Sequence, residues 1–144
     1  HGVADDVRFV GRVTDDRLRA ELRAGHVLAV PSRYEPFGIV YLEGMAFGLP
    51  AIASAHGGAS DFVGDHNGAL VSPNDPEAVA AVAVSPARDR GRLERLSRGA
   101  RGTVRDHPTR GGTWRRGRVQ LQRVLPAERL VRGGAGGGSW GGTW

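Results

Sequence analysis

The chain has no cysteine and only one methionine, and its 20 basic residues include no lysine. The absence of cysteine excludes a disulfide framework and a thiolate metal site. No run of about 18 apolar residues occurs, so no transmembrane helix is indicated. Aromatic residues make up only 6% of the chain, which leaves little surface for stacking on bases. An all-arginine basic set is the mark of a GC-rich coding sequence. No signal-peptide pattern is read ahead of the first expected strand, and the chain opens on His1 rather than Met. That opening reads as a piece cut from a longer protein.

What is present is unevenly distributed. At 144 residues the chain is sized for one domain. Residues 1–85 hold 11 acidic and 6 basic residues, a net of −5, while residues 86–144 hold 4 acidic and 14 basic, a net of +10. The overall charge of +5 therefore belongs to the second part and says little about the ligand of the first.

Local patterns in the first part alternate between strand and helix. The β-branched run Val7 to Gly11 reads as a strand. Thr14 follows as an N-cap, with Asp15 and Asp16 in the first turn, Leu18 and Leu22 on one face and Gly25 as the stop. The apolar run His26 to Ser32 predicts a strand buried on both faces. A helix is expected from Phe37 or Gly38 to about Phe47, ended by Gly48 and Pro50. Pro50 to Ser54 reads as a third strand. "GGASDFVGD" reads as a short helix entered through two glycines, and "NGALVSP" as a fourth strand after an Asn-Gly turn. Asp75 then caps a helix with Pro76 in its first position. This alternation predicts an α/β fold, a Rossmann-like parallel sheet with helices on both faces. Its ligand belongs at the carboxyl ends of the strands, near helix N-termini.

The segment "SRYEPFGIVYLEGMAFGLPAIAS", residues 32–54, holds the chemistry. Glu35 stands before a helix and Glu43 on it, with Gly38 between them. The first amides of a helix lack intrahelical partners and carry positive partial charge, which suits phosphate. Gly38 has no side chain to block close backbone approach. Glu43 lies about 7.5 Å further along the axis at the standard helical rise. Carboxylates accept hydrogen bonds from vicinal hydroxyls. One on either side of a phosphate site matches a nucleotide sugar: hexose, diphosphate, ribose. The plainer alternatives are that Glu35 is a solvated loop acid and that Glu43 pairs with Arg33 or another surface arginine. Tyr34, Phe37, Tyr41 and Phe47 read as packing residues. His26, His56 and His66 show no metal-ligand spacing. Gly57 and Gly58 read either as a simple turn or as part of the ligand edge.

These residues resemble the donor-binding half of retaining GT-B glycosyltransferases, the glycosyl transferases group 1 or family 4 type, which includes sucrose synthase-like and lipopolysaccharide mannosyltransferase-like enzymes. The likeness lies in "EPFGIVYLE", Glu35 to Glu43, with "VRFVGRV", "GLPAIAS" and "NGALVSPND" in the same order; it covers about residues 3–85. The resemblance implies that Glu35 contacts the transferred sugar and that Glu43 binds the ribose. It implies that the amides of Phe37, Gly38 and Ile39 hold sugar and diphosphate oxygens, and that Gly11, Arg12 and Val13 form the base-binding edge. Glu35 is then the catalytic residue, without being a nucleophile, because transfer is described as attack on the face from which the diphosphate leaves. The donor is a UDP-, GDP- or ADP-linked sugar as substrate, with no cofactor or metal. The acceptor, a glycan or a lipid-linked sugar, belongs to an N-terminal domain that these residues do not contain. The cations that neutralise the diphosphate are missing from the motif as well, so the chain by itself is expected to be inactive. The implied location is cytoplasmic, or the inner membrane surface in a full-length protein.

Past Ala87 an arginine-rich helix is expected, weakened by Gly91, Gly99 and Gly102 at roughly 1 kcal/mol each. Residues 1–107 read as the partial domain and 108–144 as a flexible or frameshifted Arg/Gly/Trp-rich tail, with 10 Gly in its last 34 residues. The rival function is RNA binding through that tail, though the acidic folded part makes nucleic acid the weaker partner. A sugar-nucleotide epimerase or phosphorylase, on a related two-domain fold, is the other alternative.

Overall fold

The computed structural model describes residues 2–107. The readings of 108–144, as a tail, a frameshift product or an RNA-binding segment, lie outside the described residues.

Three strands form one parallel sheet in the order β1 (Leu28–Val30), β2 (Ala51–Ser54), β3 (Gly68–Val71). Leu28 pairs with Ala51 and Ala51 with Gly68, and the register runs in step from there. Among the described residues four α-helices accompany the sheet: α1 (Asp15–Ala24), α2 (Ile39–Ala46), α3 (Pro76–Arg88) and α4 (Arg90–Asp106). Their starts follow the capping signals. Thr14 Oγ1 accepts from Arg17 N–H at 3.4 Å, and Asp75 Oδ1 accepts from Ala78 N–H at 2.9 Å. Asp89 Oδ1 does the same for Arg92 N–H at 2.9 Å, so α3 and α4 meet at one capping residue.

β2 is buried at every position, and side chains on a strand alternate faces, so both sides of the sheet are covered there. Ala51 and Ala53 join Tyr41, Leu42 and Met45 of α2, Ala59, Val63 and Ala100 of α4 in the main core. α3 packs against β2 and β3. α4 runs unbroken through Gly91, Gly99 and Gly102. Gly99 repays its helix cost by letting α4 approach the His66 carbonyl, where any Cβ would collide. Asn67, fully buried, ties this corner together. Its amide donates to Phe62 O and to Thr103 Oγ1, both at 2.7 Å, and its Oδ1 accepts from Gly64 N–H at 2.9 Å.

Two expectations need correction. Residues Val7–Gly11 form no strand, although Val7 has extended dihedrals. Phe9 is 94% exposed, and no described segment offers that stretch a ladder. A strand exists only through its partner, so the β-branched pattern alone cannot make one. β1, expected to be buried on both faces, spans three residues and is half-buried with Ala29 exposed. It pairs with β2 alone and is an edge among the described residues.

Candidate functional site

The carboxyl ends of β1 and β2 converge on the start of α2. Tyr41, fully buried on α2, holds them together: its hydroxyl donates to Val30 O at 2.7 Å and accepts from Ser54 N–H at 3.4 Å. Beyond β2, Ser54 Oγ accepts from His56 N–H at 3.0 Å and steadies the next turn.

Gly38 is the N-cap of α2 and has a left-handed backbone, φ 71°. A Cβ there would sit 2.8 Å from the Phe62 ring, so both conformation and space require glycine. A glycine cap has no side chain to serve the helix amides. Glu35 supplies the missing acceptor: its Oε1 takes Gly38 N–H at 3.1 Å and Phe37 N–H at 3.3 Å. The positive end of the helix favours an acceptor oxygen in this position. Glu35 is therefore a capping anion, not a solvated loop acid. The next two amides, of Ile39 and Val40, have no protein partner among the described residues.

Glu43 is half-buried, and burial holds its carboxyl above the usual carboxylate range. Its Oε1 is buried without a hydrogen-bond partner, and so is Ser32 Oγ just past β1. A buried polar atom left unpaired costs about 1–3 kcal/mol, so each of the two calls for a partner. Glu43 forms no ion pair with Arg33. Chemically, the arrangement offers hydroxyl-binding acceptors on both sides of a pair of unserved helix amides.

The structure thus gathers Glu35, Phe37, Gly38, Ile39 and Glu43 around one helix start. It does not join Gly11, Arg12 and Val13 to them: no hydrogen bond or ion pair among the described residues links 11–13 to 32–43. Gly11 and Arg12 are exposed and Val13 is half-buried. Of the aromatics read as packing residues, Tyr41 packs, but Tyr34 and Phe37 are exposed. Ser32 and Ser54 were not singled out from the sequence. Their place at strand carboxyl ends, where α/β sheets bind ligands, is the signal that could have found them. A groove of about 510 Å³ beside β3, lined by Leu70, Ala81 and Val82, includes none of these residues. Among the described residues no group of three or more His, Asp or Glu could hold a metal. None of the described helices is long and apolar enough to cross a membrane.

A parallel sheet whose strand ends meet a helix start beside paired carboxylates defines a Rossmann-like α/β protein. The family model for glycosyl transferases group 1 matches residues 1–103, and the chain belongs to that family. It is 42% identical over 106 residues to a D-inositol 3-phosphate glycosyltransferase of Salinispora tropica, covering 73% of this chain and 22% of that protein. An uncharacterized glycosyltransferase of Methanocaldococcus jannaschii is 41% identical over 80 residues, 55% of this chain and 20% of that protein. Among solved structures, sucrose-phosphate synthase from Thermosynechococcus elongatus superposes with a TM-score of 0.69 at 33% identity, covering 85% of this chain and 30% of that one. The chain spans about a fifth of the length of these curated relatives.

Proposed function

We propose that residues 2–107 form the donor-binding unit of a retaining hexosyltransferase that uses a nucleoside-diphosphate sugar. The observation that supports this reading best is the pair of carboxylates flanking the start of α2, with Ser32 Oγ and Glu43 Oε1 buried and unpaired. Glu43 would accept hydrogen bonds from the vicinal hydroxyls of the ribose. Glu35, one oxygen already held by its own helix, would offer the other to the sugar hydroxyls and orient the anomeric carbon. The amides of Ile39 and Val40 would take diphosphate oxygens, aided by those of Phe37 and Gly38 where the Glu35 carboxylate yields them. In retaining transfer the acceptor hydroxyl attacks on the face from which the diphosphate departs. Glu35 then acts by electrostatics and position rather than as a nucleophile. The acceptor, a glycan or lipid-linked sugar, and a cytoplasmic or membrane-surface setting belong to the same proposal.

Titration of the labelled chain with UDP, GDP and ADP tests the donor reading. The amide signals of Gly38 to Val40 and of Glu43 are expected to move with one of the three. No movement with any of them would overturn the proposal. The net −5 of residues 1–85 opposes a diphosphate, and the curated relatives are several times longer. Sugar transfer by the 144-residue chain alone is therefore not expected. Turnover assays with three nucleotide sugars and simple acceptors check this.

A further inference from the structure

We propose that the diglycine Gly57–Gly58, on the loop after β2, is a positioning element that aims the Glu35 carboxylate; this rests on the donor-site reading above. The sheet ladder ends at Ser54, yet an isolated parallel bridge joins Glu35 to Gly57. Both backbone polar groups of Glu35 are committed to this loop. Its N–H donates to His56 O at 3.5 Å, and its carbonyl accepts from Gly58 N–H at 2.8 Å.

The fit leaves no room for a side chain. A Cβ on Gly57 would collide with the Glu35 carbonyl oxygen and lie 2.9 Å from its carbon and 3.1 Å from its nitrogen. A Cβ on Gly58 would lie 2.6 Å from Pro36 O and 3.1 Å from Phe37 Cα. Gly57 also adopts φ 120°, ψ −162°, a region open essentially to glycine alone. Ser60 fixes the same peptide: its hydroxyl donates to Gly57 O at 2.8 Å. The two loops therefore interlock backbone to backbone at the residue that carries the carboxylate. Glu35 is held from behind by 56–58 and from in front by the amides of Phe37 and Gly38. A displacement of about 1 Å at such a group can cost on the order of a hundredfold in function. A glycine pair that merely made a turn would need no contact with Glu35.

The test uses the full chain and five variants: Gly57→Ala, Ser60→Ala, Glu35→Gln, Gly57→Ala with Glu35→Gln, and Ser60→Ala with Glu35→Gln. Binding of UDP-glucose, GDP-mannose and ADP-glucose is measured for each. Gly57→Ala is expected to weaken the bound nucleotide sugar about tenfold in the wild-type background, and less than about twofold once Glu35→Gln is present. Equal losses in both backgrounds would mean that the glycine acts elsewhere and would overturn the proposal. A second readout needs no ligand. The amide proton signals of Phe37 and Gly38 report their hydrogen bonds to Glu35. Gly57→Ala, and to a lesser degree Ser60→Ala, should move them toward their positions in Glu35→Gln, while the Tyr41 and Ala53 signals stay. Signals of Phe37 and Gly38 that remain at their wild-type positions in both variants would also overturn it. Should Gly57→Ala shift signals throughout the chain, Ser60→Ala, which keeps every backbone contact, decides alone by the same two criteria. Wild type that binds none of the three nucleotide sugars refutes the donor reading, and the amide signals still decide the positioning role.

Discussion

Two stretches of this chain carry comparable β-branched and glycine signals, and they meet different ends. Residues 30–61 interlock: Tyr41 ties β1 to β2, and Glu35 is held between α2 and the 56–58 loop. Residues 3–13 make one short 3-10 turn at Ala4–Asp6 and lie open, with Val3, Val7, Phe9 and Val10 exposed. Among the described residues, Arg8 ties this stretch to Glu21 on α1 at 2.8 Å. The lesson concerns what makes a site. A motif whose neighbours are in place becomes a fixed constellation, whereas a motif without a strand partner remains only a sequence pattern.

The contrast can be broken by mutation, and the largest effect is expected in the interlocked half. Asn67→Ala removes three hydrogen bonds of a buried side chain and should cost about 3 kcal/mol, read as a lower urea midpoint at unchanged slope. Tyr41→Phe deletes the hydroxyl shared by β1 and β2 and should cost about 1–2 kcal/mol in the same experiment. A neutral result there would show that the strand ends are held by the ladder alone.

Glu43→Gln sharpens the comparison through pH. Burial raises the folded-state value of Glu43, so the folded chain holds that proton more tightly than the unfolded one. Its contribution to stability is present at low pH and fades as pH rises from the ordinary carboxylate value through the raised one. Glu43→Gln should therefore flatten that decline and leave the variant more stable than wild type above it. Unfolding curves taken across mildly acidic to neutral pH check the sign, and a steeper decline in the variant would contradict it. The smallest effect is reserved for the open half. Phe9→Ser should change stability by less than about 0.5 kcal/mol, because an exposed ring has little packing to lose. A loss well above that would show residues 7–10 packed in solution and erase the contrast.

The site was legible in part. The pair Glu35 and Glu43 and the helix between them stand out because their signals are local: a glycine cap, helical apolar spacing and a stop at Gly48. The role of Glu35 as cap to that helix was less legible. It depends on a side chain folding back three residues onto Gly38, which spacing allows but does not require. Ser32 Oγ was invisible as an orphan, since burial of one atom follows from packing. The Val7–Gly11 stretch shows the converse failure, in which a sound local pattern lacks the neighbour that would make it a strand.

By itself the sequence determined where α1 and α3 begin and that strand and helix alternate through residues 26–76. Caps at Thr14 and Asp75, and the apolar run of β2, act over a few residues and leave their mark in composition. Only the tertiary structure decided which atoms meet. The register of β1 against β2 carries Glu35 to Gly57, and close backbone approach there is possible because neither glycine has a Cβ. That contact joins segments far apart in the chain, so its free energy comes from the packed sheet rather than from any local preference.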